Sequence, residues 1–449
     1  MKLLLLLGLS VVFIVLTTTK LKLHPFLALL LAALSFGLLA GMAPTDVVAS
    51  INAGFGGVIG YIGIVILAGS IIGIFLEKSG GAISLAERAL KITGPKQVPL
   101  AMTVIGYVVS MPVFCDSGFI LLSPLNKALA KRTKQSAAAG AIALSLGLYA
   151  THTMVPPTPG PVAAAGMLGA DLGLVILCGL IVSAVAALAG WLFAITVAAR
   201  VVVEEDADAD AAEDMGKDMD ASQRPSALKS LLPILIPVVL IVFRSIAELP
   251  TQPLGASAGI QWLIFLGQPV IALLIGVGFA LLLPKHLDRE MLSVSGWVGQ
   301  AVVAAATIII TTGAGGAFGR VLKDSGIADV LSSGLEGYNG LGIWLPFVIA
   351  AVIKTAQGSS TVAIITTAGL MVPLLDTLGL GAEPAKALVV VAIGAGAMVV
   401  SHANDSYFWV VTQFTGLSVK QGYRLQSLGT LIEGVVAASV LWIMSLIIL

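Results

Sequence analysis

Apolar residues dominate this chain, and its polar residues fall in short interruptions between long apolar runs. Runs long enough to cross roughly 30 Å of hydrocarbon occur at 2–18, 25–43, 57–76, 172–199, 229–248, 262–284, 299–319 and 427–449. Four other segments are apolar but broken. Residues 98–131 and 342–375 each read as an apolar run, a small polar cluster and a second apolar run, the pattern of a re-entrant hairpin. Residues 137–170 and 387–416 read as crossings interrupted by polar and helix-breaking residues. The pattern predicts an all-α polytopic membrane protein with about ten transmembrane helices, two re-entrant hairpins and two broken helices. Irregular backbone at membrane depth survives only where protein buries it or water reaches it, so the breaks point to the cavity.

The long hydrophilic stretch, 200–228, carries Glu204, Glu205, Asp206, Asp208, Asp210, Glu213 and Asp214 and reads as a disordered acidic linker. It divides the chain into 1–199 and 229–449, and these halves repeat each other. Ala68, Gly69, Gly73, Leu76, Ser79, Gly80, Ala82 and Leu85 match Ala314, Gly315, Gly319, Leu322, Ser325, Gly326, Ala328 and Leu331 at a constant offset of 246. Thr151, His152 and Gly166 face Ser401, His402 and Gly416 at an offset of 250. If each hairpin stays on one side and each broken segment crosses once, each half has five crossings, and the halves are inverted relative to each other. That topology places eighteen Lys and Arg residues on one side and five on the other, with Lys354 inside the second hairpin. The basic side, with the linker, is then cytoplasmic and both termini lie outside. Inverted repeats with discontinuous helices are the architecture of secondary transporters.

Composition agrees with lipid as the solvent. Charged residues make up 11% of the chain and the mean hydropathy is +1.04, against roughly 25% charged in soluble domains. The net charge is zero, so nothing suggests a nucleic-acid partner. Cys115 and Cys178 lie in apolar stretches and read as small buried residues. The N-terminal run resembles a signal peptide but ends in Thr17-Thr18-Thr19-Lys20 without an A-x-A cleavage pattern; residues 2–18 are therefore read as a retained first helix.

The polar clusters sit at symmetric places. The first hairpin tip holds Asp116, Ser117 and Gly118, and the first break holds Thr151 and His152 followed by Pro156–Pro161. The second tip runs Lys354, Gln357, Gly358, Ser359, Ser360, Thr361, and the second break holds Ser401, His402, Asn404, Asp405 and Ser406. These sixteen residues, prolines aside, are the candidate substrate- and ion-binding set; no catalytic or metal-binding residue is predicted. Backbone N–H groups freed at half-helix starts suit a carboxylate, and freed carbonyls at half-helix ends suit a proton or Na⁺. Asp116 is suited to carry a coupled proton or help bind a cation, and its structural alternative is a helix cap. Lys354 is the counter-charge for an anionic substrate, or else pairs with Asp116 or Asp405 to hold the tips together. His152 and His402 are of the residue type suited to a proton relay near neutral pH, although a structural hydrogen bond explains either alone. Asp405 and Asn404 are cation or substrate ligands or caps, and the glycines at 69, 73, 315 and 319 permit close helix packing.

At MPVFCDSGFILLSPL (111–125), PPTPGPVAAAGMLGADLG (156–173), KTAQGSSTVAIITTAGL (354–370) and SHANDSYFW (401–409) the sequence resembles the gluconate permease family, over nearly the whole chain. That family is similar to the wider ion transporter superfamily, with paired hairpins, frequent dimers and elevator-type motion. The resemblance implies proton-coupled uptake of gluconate or a related hydroxy acid across a bacterial inner membrane by a homodimer without cofactors, with Na⁺ the alternative coupling ion. Some relatives carry D-serine. The chain departs from the family pattern in having Lys354 where Arg is expected and Cys115-Asp116-Ser117 at the first tip. Because an Arg grips a carboxylate bidentately and a Lys does not, the substrate within this class stays open. A passive channel would favour a continuous polar pathway, which the clustering at mid-depth does not supply. An intramembrane enzyme would need a local acid pair or a motif such as H-E-x-x-H, which is absent.

Overall fold

The protein is described by a computed structural model covering residues 2–94, 97–201, 203, 224–248, 254–255, 257–327, 342–403 and 405–449. Most of the acidic linker, repeat positions Ala328 and Leu331, and Asn404 lie outside the described residues, and so do the positions of Gln357's side-chain atoms. Among the described residues every regular element is helical.

The first half runs through α1 (Lys2–Thr19), α2 (Pro25–Ala40), α3 (Pro44–Lys78), α4 (Gly81–Thr93), α5 (Val98–Val109), α6 (Cys115–Thr133), α7 (Ala137–Met154), α8 (Pro159–Leu168) and α9 (Leu172–Thr196). The second half follows with α10 (Ala227–Ala247), α11 (Ala258–Leu266), α12 (Pro269–Leu281), α13 (Trp297–Asp324), α14 (Trp344–Gln357), α15 (Ser360–Met371), α16 (Glu383–Gly396) and α17 (Ser406–Thr415). It closes with a short helix, Val419–Gly422, a π-helical turn, Tyr423–Ser427, and α18 (Leu428–Ile448).

Local chemistry explains most boundaries. Pro opens α2, α3, α5, α8, α12 and α16 at the first turn, where its missing N–H costs nothing. Ser136 and Asp171 cap α7 and α9 by accepting from Ala139 N and Leu174 N. Pro156, Pro157 and Pro159 make α7 stop at Met154 and let α8 restart at Pro159.

Among the described residues five helical stretches are long and apolar enough to cross a membrane. Two more pass if the bent pairs Pro44–Tyr61 with Gly63–Lys78 and Ala258–Leu266 with Pro269–Leu281 each count as one span. These seven correspond to the expected crossings at 57–76, 137–170, 172–199, 229–248, 262–284, 299–319 and 427–449. Two boundaries differ from expectation. α3 begins at Pro44, well before residue 57, because Val47 and Ser50 already pack inside. The span near 262–284 turns by 69° at Gly267-Gln268, where Pro269 ends one helix and starts the next. Helices of 12 and 14 residues, as in α5, α15 and α14, reach only about 18–21 Å, so none of the three crosses alone.

Burial shows which helices are central. Every residue from Ala138 to Met154 in α7 is buried, as is the stretch Ala387–Gly396 of α16. Around them α1, α2, α9–α12 and α18 turn large apolar side chains outward, among them Leu5, Leu31, Leu188, Trp262 and Leu446, the surface expected against acyl chains. The two halves interlock where α3 crosses α13. A Cβ on Gly54 would stand 2.4 Å from the Gly316 carbonyl oxygen, and one on Gly316 would stand 2.7 Å from that of Gly54. Only glycines allow backbones this close. α4 is strongly two-faced, with Glu87, Arg88 and Lys91 on its polar side, and Glu87 Oε1 accepts from Arg224 at 3.1 Å, tying the end of the linker to it.

Candidate functional site

The second hairpin tip and the second break meet in the protein interior. Lys354, in the last turn of α14, is fully buried, and its Nζ donates to Asp405 Oδ2 at 2.6 Å and to the Gly358 carbonyl. Asp405 is nearly as buried and divides its oxygens between two tasks. Oδ1 caps α17 by accepting from Tyr407 N at 3.0 Å; Oδ2 takes Lys354, the Ser401 hydroxyl at 2.6 Å and the Tyr149 phenol at 3.5 Å. Asp405 thus makes both the helix cap that is the structural alternative to its ligand role and the ion pair that is the structural alternative to Lys354 as substrate counter-charge. Two opposite charges in a low-dielectric interior are tolerable only with such complete hydrogen bonding.

Gly358 makes this arrangement possible. It ends α14 in the left-handed region, with φ +89°, so its carbonyl turns back toward Lys354 while Ser359 caps α15 by accepting from Val362 N. A residue with a Cβ loses about 1–2 kcal/mol in that conformation. Gly358→Ala is therefore expected to lower thermal stability in detergent and to weaken uptake roughly fivefold or more, while Gly278→Ala, with nothing within 4 Å, serves as the neutral control in a thermal-melt assay.

Ser401 is held from below. Its N–H donates to Thr430 Oγ1 at 3.0 Å and its carbonyl accepts from the Ser427 hydroxyl. His402, half-buried, points its Nε2 at the Thr355 carbonyl at 2.8 Å and so joins the second break to α14. Ser406 is the first residue of α17 and is exposed; Ser360 and Thr361 open α15 and are half-buried.

The first tip and first break lie beside this cluster. Asp116 stands in the first turn of α6, whose N-cap is Phe114, so the carboxyl does not cap the helix, and its Oδ1 is buried without a hydrogen-bond partner among the described residues. Ser117 is half-buried next to it, and Gly118 packs toward Leu148. Thr151 is buried and returns its hydroxyl to the Leu148 carbonyl, an ordinary helical bond. His152 is buried with its ring parallel to Tyr149 and near Phe114, and its Nδ1 lacks a partner among the described residues. A small crevice at Gly69, Ser70, Pro112, Phe114, His152 and Thr158 lies on this side. The starts of α6 and α8 have no side-chain cap, whereas α15 and α17 do; α6 suits an anion at its first-turn N–H groups, while Pro159 and Pro161 leave α8 only the Gly160 N–H in its first three positions.

Sequence reading missed Tyr149, Tyr407, Ser145 and Gln426. Tyr407 donates to the Ser145 carbonyl at 3.0 Å, and the Ser145 hydroxyl donates to Gln426 Oε1 at 2.8 Å. None of the four is charged; Ser145 and Tyr149 sit in the apolar α7, Tyr407 in α17 and Gln426 in the π-helical turn, so only tertiary proximity reveals them.

Residues 1–447 match the profile of the GntP family permeases. A gluconate permease of Pseudomonas aeruginosa is 35% identical over 443 residues, covering 98% of this chain and 96% of that protein. The D-serine transporter DsdX of Escherichia coli K12 is 34% identical, covering 98% and 97%. In three dimensions the chain is similar to the YdaH transporter of Alcanivorax borkumensis, with a TM-score of 0.65 and 16% identity over 94% of this chain and 99% of that one, a likeness of fold.

Proposed function

The chain belongs to the GntP permease family and is a membrane transporter rather than an enzyme, and from that premise we propose that it is a proton-coupled symporter of gluconate or a related small hydroxy-carboxylate. The observation that carries this reading is the buried Lys354–Asp405 pair at the junction of a hairpin tip and a helix break. A substrate carboxylate entering here competes with Asp405 for Lys354. Protonating Asp405 removes the competition, so substrate and proton favour each other's binding. Ser401, Ser360 and Tyr149 line the same region and suit the hydroxyls of a sugar acid. Asp116 is the second acid able to take the coupling ion.

The wider reading is an inverted-repeat carrier in the bacterial inner membrane, with a cytoplasmic linker and external termini. It is supported by the constant offset between halves: α3 spans 44–78, and Glu290–Asp324 spans the same 35 residues displaced by 246. The hairpins and broken helices, 98–170 and 342–416, would move as a unit against the remaining helices in a homodimer. Polar groups gathered at mid-depth, rather than along a continuous path, favour such a carrier over a passive channel.

Uptake of radiolabelled gluconate into proteoliposomes tests this, with an imposed pH gradient in one arm and a Na⁺ gradient in the other. Accumulation driven by the pH gradient alone is expected. A saturable but gradient-independent flux would overturn the coupling. Accumulation of D-serine in place of gluconate would keep the carrier and change its substrate, an outcome that the DsdX relative makes worth a parallel arm.

A further inference from the structure

One buried acid has no part in the Lys354–Asp405 cluster. Glu433 lies in α18, which belongs to a continuous helical stretch Val419–Ile448; with about 21 Å of helix on either side, it stands near the middle of the membrane. It is fully buried, and among the described residues neither carboxyl oxygen has a hydrogen-bond partner. Its carboxyl fills a slot in α9 that only a glycine leaves open: a Cβ on Gly190 would stand 2.3 Å from Oε1, with Leu146 of α7 alongside.

Among the described residues no charge compensates it. α9 is apolar along the contact, with Cys178 its one titratable side chain. On α16, Glu383 and Lys386 sit at the opposite end and pair with each other at 3.0 Å. Arg424, on the π-helical turn below, is exposed. On α7 and α14, Tyr149 and Lys354 are engaged at Asp405, and His152 lies between Phe114 and Tyr149. The nearest phenol on α17, Tyr407, donates to Ser145. An ionised carboxylate in such a slot costs many kcal/mol, whereas a neutral carboxylic acid with neither oxygen partnered costs about 1–3 kcal/mol for each unmet group, so the slot favours the neutral form.

The slot is wired to the site. Thr430, one turn before Glu433, accepts from Ser401 N–H, and Ser401 in turn donates its hydroxyl to Asp405. The π-helical turn at Tyr423–Ser427, a distortion that recurs at functional positions, supplies the Ser427 hydroxyl to the same residue. Next to Glu433, Gly434 packs on Ala395 of α16 and on Val399 in the second break. A movement of the second break away from α18 therefore breaks the Ser401 bonds to Thr430 and Ser427 and loosens the packing at Gly434, beside Glu433.

We propose that Glu433 is a proton-binding site, separate from the Lys354–Asp405 pair, that holds its proton while Ser401 is clasped to α18 and releases it when that clasp opens. The proton leaves the carboxyl to water admitted at the opened seam and returns as the seam closes, so no other reactant is needed. Its role in coupling rests on the symport reading above; its protonation does not.

Two measurements separate these. Infrared spectra of the purified protein in lipid at neutral pH should contain a protonated-carboxyl stretch that disappears in Glu433→Gln. Its absence from the wild type would overturn the proposal whatever the substrate. In proteoliposomes, a one-unit pH gradient supports roughly tenfold accumulation for one proton per substrate. Glu433→Gln, which keeps the volume and supplies a permanently neutral group, should retain counterflow exchange within about twofold yet show no accumulation above equilibrium. Unchanged accumulation would overturn the coupling role. Loss of counterflow in Glu433→Gln, with the variant still monodisperse, would assign the residue to packing and overturn it equally. A wild type that moves neither gluconate nor D-serine would sink the symport reading, and the infrared result would still decide the protonation.

Discussion

Lys354→Met should abolish gradient-driven uptake and destabilise the protein by about 3–5 kcal/mol, the cost of removing one partner from a buried ion pair. Met matches the length of the lysine stem but leaves Asp405 as an uncompensated charge whose remaining partners are Ser401, Tyr149 and the Tyr407 amide. Stability and function are separable by a second change. In Lys354→Met with Asp405→Asn, the amide oxygen still caps α17 at Tyr407, and no buried charge is left alone. That double variant should melt close to the wild type. Its uptake should stay roughly 100-fold or more below the wild type if Lys354 is the group that receives the substrate carboxylate. Recovery of uptake together with stability would show that the pair only fastens tip to break. Lys354→Arg is the informative mild change. The fully buried Nζ is clasped between the Gly358 carbonyl and Asp405, and a planar fork cannot sit in that clasp in the same way. Retained folding with an altered preference among carboxylates is the expected outcome in a competition uptake assay.

The parts of this site that sequence made visible are those where polarity contrasts with its surroundings. A lysine and an aspartate in apolar runs, hydroxyls beside helix breakers and a glycine between two such clusters all stand out in one dimension, and Lys354, Asp405, Ser401 and Gly358 do meet in space. Partner choice was not legible. Nothing in the order of residues tells whether Lys354 pairs with Asp116 or Asp405, because both acids lie on other elements and the choice depends on how α14 docks against α17. A helix cap is the structural alternative that sequence leaves for Asp116, and only the position of Phe114 at the N-cap removes that role. Glu433 was legible in principle. It is an acid within a crossing at 427–449, and such residues are functional candidates by default, but the strength of the surrounding apolar run hid it. Tyr149 and Tyr407 could not be found, since an aromatic residue in an apolar helix is indistinguishable from core until its hydroxyl has a partner. Of the fold, seven of the expected crossings and the helix breaks at 154–159 and 396–406 followed from hydrophobic run length and the breakers within it. The bend at Gly267-Gln268 did not stand out, because Pro269 is also an ordinary first residue of a helix.

The repeat treats Gly69 and Gly73 of α3 as equivalents of Gly315 and Gly319 of α13, yet their surroundings rank them differently, and Gly73→Ala should be the most damaging of the four. A Cβ on Gly73 would stand 2.3 Å from the Pro112 carbonyl oxygen, which belongs to the first tip, three residues before the start of α6 at Cys115 and close to Asp116. Backbone cannot rotate out of the way as a side chain can, so the tip itself has to move. On Gly315 the obstacle at 2.3 Å is a methyl of Ile365, which has rotamers available. On Gly319 and Gly69 the nearest atoms are carbonyl oxygens at 3.0 and 3.2 Å, a crowding that a few tenths of an ångström relieves. Overpacking of the first kind costs about 1–3 kcal/mol, whereas alanine at an unobstructed helical glycine gains up to about 1 kcal/mol. Gly73→Ala should therefore lower uptake roughly fivefold to a hundredfold, with Gly315→Ala intermediate and Gly69→Ala and Gly319→Ala near the wild type. Initial uptake rates normalised to folded protein in the liposomes would rank them. Equal rates for Gly73→Ala and Gly319→Ala would mean that the first tip does not rest on α3 during transport, and the crevice beside His152 would then have to form elsewhere.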